Sequence, residues 1–263
     1  MREFERLVEC MGTVFVFRGR TSVSDAVLEE ALLSAENSLH KADAIFSLYK
    51  PQSPLSQLAR GETSVAKCPP VVDEVWNLCE DWEKRTGGWF KAFTPQNTFD
   101  PSGLVKTWAA DFAARALLAA GIEDFTMNAG GDILLSDALT GEDNWRVGIS
   151  KPVTIASPEA GVLTVFDLAG SDYRAVATSG TAERGEHIWN SKGGNQQQEL
   201  VQVTVIAKDL VAADVWATAA FSEGLASIKR LNAEPGIEAL YVMRDGDLQG
   251  TDGIVPLFAK PRG

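Results

Sequence analysis

The chain has 263 residues, of which 45% are hydrophobic and 23% charged, a composition that fits one large globular domain or two intimately packed subdomains. Its 36 acidic and 24 basic residues leave a formal net charge of −12, which argues against a duplex nucleic-acid binder, because such proteins need a basic surface to displace counterions from phosphate. An acidic protein that binds a diphosphate needs local help from a cation, a lysine or a helix N-terminus.

In chain order, the N-terminus Met1-Arg2-Glu3-Phe4-Glu5-Arg6 is charged and carries no apolar run that would serve as a signal peptide. No stretch approaches the roughly 18 apolar residues of a membrane-crossing helix. A cytoplasmic protein without membrane insertion is therefore expected. Cys10, Cys68 and Cys79 are widely spaced and odd in number, which gives neither a disulfide framework nor a zinc pattern and suits a reducing compartment.

Residues 12–18 read as a strand. Residues 24–46 carry a helical period, with Ala26, Val27, Ala31, Leu32, Ala35, Leu39, Ala42 and Phe46 on one side. A polar turn is expected around Lys50-Pro51-Gln52-Ser53-Pro54. A second helix over about 71–85 stops at Thr86-Gly87-Gly88. Residues 105–120 are alanine-rich and form the clearest helix, closed by Gly121. A strand at Phe125–Asn128 runs into Ala129-Gly130-Gly131-Asp132, and further strands are expected at 144–149, 161–168, 173–178 and 200–207. The polar, Gln-rich segment 191–199 reads as a surface loop. A buried helix over about 211–222 and a last strand at 237–243 complete the order. Irregular alternation without repeated βαβ units predicts an α+β fold with a mixed or antiparallel sheet and packed helices.

Four segments could carry chemistry. In Ala212-Ala213-Asp214-Val215-Trp216-Ala217-Thr218 the i, i+4 spacing puts Asp214 and Thr218 on one helical face. A carboxylate and a hydroxyl form a hard-oxygen pair that suits Mg²⁺ completed by water and phosphate oxygens. The alternative is a helix-start aspartate favoured by the dipole and a threonine bonding back to a carbonyl. Asp100-Pro101-Ser102-Gly103 is turn chemistry at a helix start, with Lys106 just inside the helix. It reads either as a diphosphate cradle or as a capped helix with a solvated lysine. Asn128-Ala129-Gly130-Gly131-Asp132 allows unusual backbone angles and close ligand approach, yet G-x-G-x-x-G and P-loop patterns are both absent. Thr178-Ser179-Gly180 precedes Glu186-His187-Ile188-Trp189-Asn190. His187 reads as a general base or as a hydrogen-bonded structural histidine, and His40 as a surface one.

The order of these segments resembles the ApbE family of FAD:protein FMN transferases. The resemblance runs from about residue 11 to residue 224. It is carried by Met11-Gly12-Thr13, Phe46-Ser47-Leu48-Tyr49 with Ser53, and Gly88-Trp89-Phe90. It continues through Asp100-Pro101-Ser102-Gly103-Leu104-Val105-Lys106, Asn128-Ala129-Gly130-Gly131-Asp132, Thr178-Ser179-Gly180, His187-Ile188 and Ala213-Asp214-Val215-Trp216-Ala217-Thr218. It implies a single ApbE-like flavin transferase domain over residues 1–263, with FAD as substrate and Mg²⁺ as cofactor. It also implies transfer of FMN to a Thr or Ser of an acceptor protein, with release of AMP. Asp214, Thr218 and the carbonyl near Gly103 would hold Mg²⁺. Met11, Tyr49, Trp89, Phe90, Asp100, Lys106, Asp132 and Ile188 would line the FAD site, and His187 would deprotonate the acceptor hydroxyl. Some members instead hydrolyse FAD to FMN and AMP. The chain departs from the family pattern at Ala59, at Lys91, at Thr107, in the short connector between Phe90 and Asp100, and in His187-Ile188-Trp189-Asn190-Ser191. A hydrolase and a catalytically silent flavin binder are the competing expectations.

Overall fold

Charge disguises the first strand. In the structure, a computed structural model that describes residues 1–152, 161–180 and 200–260, β1 (Arg2–Cys10) and β2 (Thr13–Thr21) pair antiparallel from Arg2↔Thr21 to Cys10↔Thr13. Phe4, Arg6, Val8 and Cys10 alternate with the exposed Glu3, Glu5, Leu7 and Glu9. The inner arginine is not wasted: Arg6 reaches Glu29 at 2.6 Å and Glu36 at 3.4 Å. On the outer face Glu3 lies 3.6 Å from Arg20, and Glu5 pairs with Arg18. Opposite charges set across from one another favour this register. β2 also pairs antiparallel with β3 (Asp124–Ala129).

The same compact unit, Met1–Gly130, contains four helices. The first, α1 (Asp25–Phe46), is capped by Ser24 and buries Ala31, Leu32, Ala35, Leu39, Ala42 and Phe46. Its buried stripe begins one turn later than the periodicity suggests, since Ala26 and Val27 are exposed. The expected polar turn contains a helix, α2 (Pro54–Ala59). Ser53 caps it through a 2.9 Å bond from the Ser56 N–H, and Pro54 takes the first helical position, where no N–H is needed. α3 (Pro70–Arg85) stops at the glycine pair as expected, and α4 (Ser102–Ala119) packs along α1. Phe46 meets Trp108 edge-on, with ring centres 5.7 Å apart.

The second compact unit, Gly131–Gly263, is built on antiparallel strands in the order β4 (Asp132–Leu135), β7 (Ala175–Gly180), β8 (Leu200–Ala207), β9 (Ile237–Met243) and β10 (Leu248–Gly250). A separate antiparallel pair is formed by β5 (Arg146–Ser150) and β6 (Val162–Asp167). The expected strand start at residue 144 is instead a 3-10 turn over Glu142–Trp145. There the Trp145 indole donates to Leu139 O at 3.1 Å and lies under the Arg174 guanidinium. Leu135, Val147, Ile149, Phe166, Leu168, Val176, Ile206 and Leu240 form a continuous apolar core. α5 (Leu210–Glu223) packs on β7 and β8, and α6 (Ser227–Leu231) follows it. The α+β expectation holds, and every described strand pairing is antiparallel. Among the described residues no helix is long and apolar enough to cross a membrane.

Candidate functional site

In the first unit the chain doubles back before α4. Phe93 bridges Phe99, the Thr94 N–H donates to Thr98 O at 2.9 Å, and Asn97 takes a left-handed backbone with φ of 61°. The fold-back returns Asp100 to Ala92, whose carbonyl accepts the Asp100 N–H at 2.8 Å. Asp100 Oδ1 then accepts the Ser102 N–H at 3.0 Å and so satisfies one of the orphan donors of α4. The short connector thus closes as a tight turn that delivers Asp100 to the helix start.

Gly103 follows within the first turn of α4. A Cβ there would meet only the Phe90 ring, at 3.4 Å, so the backbone is open to close approach on its other sides. Phe90 itself is buried and floors this helix start, whereas Trp89 is half-buried. Lys106 is buried at 9% exposure, which removes the solvated-lysine alternative. Thr107 is fully buried and donates to Leu104 O at 3.1 Å, so its hydroxyl is engaged within the helix. Lys91, exposed, stands 3.9 Å from Glu83. An aromatic group that the motifs did not flag, Trp76 with Phe93 and Phe99 at 4.9 and 4.6 Å, braces the turn.

Met11 and Tyr49 lie elsewhere in this unit. Met11 turns β1 into β2 with φ of 54°, and Gly12 beside it has φ of 71°. Such a two-residue turn needs two left-handed residues, an uncommon state for methionine. Tyr49 follows α1 and is 93% exposed, offering a free aromatic face.

In the second unit the dipole alternative for Asp214 fails on position. Asp209 is the residue that caps α5, accepting the Ala212 N–H at 2.7 Å. Asp214 lies beyond that first turn and is only 6% exposed. A buried carboxylate is costly unless compensated by positive charge or donors. Thr218, one turn on, has its hydroxyl 3.3 Å from Ser179 Oγ. Ser179 is 7% exposed and lies on β7 beside Thr178, whose hydroxyl is 3.0 Å from that of Thr204 on β8. Asp132 is fully buried, and its Oδ1 accepts the Thr178 N–H at 3.1 Å. Its carboxylate therefore clamps β4 to β7. Ser179 stands in a motif that the sequence displays, but only the geometry gives it a partner.

The donor set can be tested against Mg²⁺ on chemistry alone. Among the described residues no three His, Cys, Asp or Glu side chains converge. The pair on α5 therefore suits a hard cation that completes its shell with carbonyl, phosphate and water oxygens. It does not suit a metal that requires nitrogen or sulfur. His187 and Ile188, like the 191–199 segment, lie outside the described residues. His40 is at the surface as expected, with Nδ1 3.4 Å from Cys10 Sγ.

Burial also sets the state of two thiols in the first unit. Burial, aided by the Asp100 charge, pushes Cys79 up from 9.0 to about 12, and burial with the Asp43 charge pushes Cys10 to about 11. At pH 8 the Cys10 thiolate fraction is then about 10⁻³. An aromatic disulfide reagent at pH 8 should modify half-buried Cys68 first and leave the other two until the chain unfolds, as mass mapping would check. Because both folded values lie above the unfolded one, their contribution to stability is full below about pH 9 and is lost as pH rises toward 11–12. A urea midpoint that stays constant from pH 8 to 11 would contradict this.

Comparison with known proteins places these features in a family context. The ApbE family model matches residues 91–241, more than half of the chain. The match spans Asp100, Lys106, Asp132, Asp214 and Thr218. A protein of Escherichia coli (strain K12) named FAD:protein FMN transferase is 30% identical over 163 residues, 58% of this chain and 44% of that protein. One of the same name from Rhodobacter capsulatus is 31% identical over 176 residues, 63% of this chain and 32% of that protein. The chain thus spans less than half the length of these curated relatives. Among solved structures, the flavin transferase ApbE from Vibrio cholerae aligns with a TM-score of 0.78 and 20% identity, covering 97% of this chain and 99% of that one. The ApbE protein from Thermotoga maritima aligns with a TM-score of 0.78 and 18% identity, covering 98% and 100%. At such identities the likeness establishes the fold.

Proposed function

The chain belongs to the ApbE family, and from that premise we propose that it is a Mg²⁺-dependent FAD:protein FMN transferase. It moves FMN from FAD onto a Thr or Ser hydroxyl of an acceptor protein and releases AMP. The observation that carries the proposal is buried Asp214 with half-buried Thr218 on one face of α5, within the matched segment and past the helix cap. The names of the curated relatives support the reaction class.

In this reading the acceptor oxygen attacks the FMN-side phosphorus and forms a new P–O bond. The bond from that phosphorus to the bridging oxygen breaks, and AMP leaves with that oxygen. When bound, Mg²⁺ neutralises diphosphate charge and orients it for in-line displacement. Asp214 and Thr218 would hold the cation through their oxygen atoms. Lys106 and the start of α4 supply positive potential to the diphosphate. Tyr49 and Trp89 offer ring faces to the flavin or adenine, and Phe90 shapes the floor beneath Gly103. The resemblance also assigns Met11, Asp100, Asp132 and Ile188 to FAD, Asp132 through the strand it clamps. His187 takes the hydroxyl proton, a role worth about 10²–10⁴-fold. We assign residues 1–263 to this one functional domain. The three free cysteines support a cytoplasmic setting.

Incubation with FAD and Mg²⁺, with and without an acceptor protein bearing an accessible Thr or Ser, tests the proposal by mass spectrometry. The expected result is AMP release that depends on the acceptor, FMN mass on the acceptor, and neither product in EDTA. Free FMN matching AMP regardless of acceptor would replace the transferase with a hydrolase. Bound FAD without turnover would leave a silent flavin binder.

A further inference from the structure

We propose that Ser179 is a positioning residue for the cation, acting by accepting the hydrogen bond that the Thr218 hydroxyl donates. This rests on the Asp214–Thr218 reading and deepens it. A threonine hydroxyl has one proton and two lone pairs. It can turn a lone pair to a cation only if its proton points to another acceptor. Ser179 Oγ, 3.3 Å from Thr218 Oγ1, stands where that acceptor is needed. Metal coordination withdraws electron density from the hydroxyl oxygen and strengthens it as a donor, so cation binding and the Thr218-to-Ser179 bond reinforce each other.

Ser179 is held for the task from two sides. The Asp132 carboxylate fixes the Thr178 N–H at 3.1 Å, and the Thr178 hydroxyl contacts Thr204 Oγ1 at 3.0 Å across β8. On the other side, a Cβ at Gly180 would come within 2.7 Å of Val201 O, so the absence of a side chain there lets β7 lie close against β8. Ser179, Thr218 and Asp132 all belong to the second unit. Ser179 is only 7% exposed, so bulk water competes little for the bond.

The test titrates Mn²⁺ into the purified full chain in the presence of FAD, following free Mn²⁺ by electron paramagnetic resonance. Thermal unfolding is recorded in EDTA and in saturating Mn²⁺. Ser179→Ala should weaken Mn²⁺ binding about 10–100-fold, in line with the loss of an outer-shell partner. It should also shrink the metal-induced rise in melting temperature while leaving the EDTA melt little changed. Ser179→Thr, which keeps the hydroxyl, should recover most of the affinity. Should Ser179→Ala not fold, Ser179→Cys, with its weak sulfur acceptor, should show the same loss. Wild-type affinity in Ser179→Ala or Ser179→Cys, or a lowered EDTA melt with an intact metal increment, would overturn the positioning role alone. Wild-type chain that binds no Mn²⁺, or Asp214→Asn that binds it as wild type does, would overturn the cation site itself and this role with it.

Discussion

Asp214→Asn should lower FAD-dependent AMP release by about 10²–10³-fold, a barrier increase of roughly 3–4 kcal/mol. The substitution is nearly isosteric on a buried helix, so shape is kept and only the negative charge is removed. A carboxylate that holds a cation contributes most of its value through that charge. Stability separates the two roles available to a buried aspartate. A purely structural aspartate would lose its partners on substitution and lower the melt in EDTA, whereas a cation ligand loses its value with the metal. The variant should therefore lose the metal-induced rise in melting temperature together with its turnover. Turnover within about two-fold of wild type would sink the ligand assignment, given that a ten-fold change corresponds to only ~1.4 kcal/mol.

Trp216→Ala should destabilise the chain by about 3–5 kcal/mol, the usual cost of emptying a buried indole site. Trp216 is 1% exposed and stands between Asp214 and Thr218 on α5. Its side chain anchors the turn that sets those two groups one above the other. Against a typical total of about 5–15 kcal/mol, this loss leaves the fold near its threshold. The urea midpoint should fall accordingly, and the Mn²⁺ affinity should fall with it. A loss under about 1 kcal/mol would mean that α5 is not anchored through this residue.

The two helices that carry candidate residues were legible because they are unusually plain. An alanine-rich run closed by Gly121 predicts a helix at 105–120 and a buried run another at 211–222, and the structure has them at Ser102–Ala119 and Leu210–Glu223. Each starts earlier than its apolar pattern, because a helix's first turn is fixed by capping groups such as Asp100 and Asp209 rather than by burial. β1 was not legible. Its inward positions include Arg2 and Arg6, whose partners on α1 lie more than twenty residues away, so no local window shows them as a buried face. α2 was hidden by Pro51, Ser53 and Pro54, which signal a turn and a helix start equally well.

At the site, spacing alone placed Asp214 and Thr218 on one face but could not choose between a metal pair and a dipole-favoured aspartate. The structure puts Asp209 in the cap and Asp214 beyond the first turn, which removes the helix-start reading of Asp214. Burial of Lys106 was likewise invisible, since a lysine just inside a helix looks solvated from its neighbours in sequence. Ser179 was readable as a motif member but not as the partner of Thr218, because that contact joins residues 39 positions apart.

The central claim is that a protein hydroxyl, and not water, attacks the FMN-side phosphorus of FAD. Running the reaction with acceptor protein in heavy-oxygen water, then measuring the isotope in each phosphorylated product by mass spectrometry, tests it most directly. The account predicts no heavy oxygen in the acceptor-bound FMN phosphate and none in AMP. Heavy oxygen in free FMN, formed in step with AMP, would show water as the nucleophile, and heavy oxygen in AMP would show attack at the wrong phosphorus.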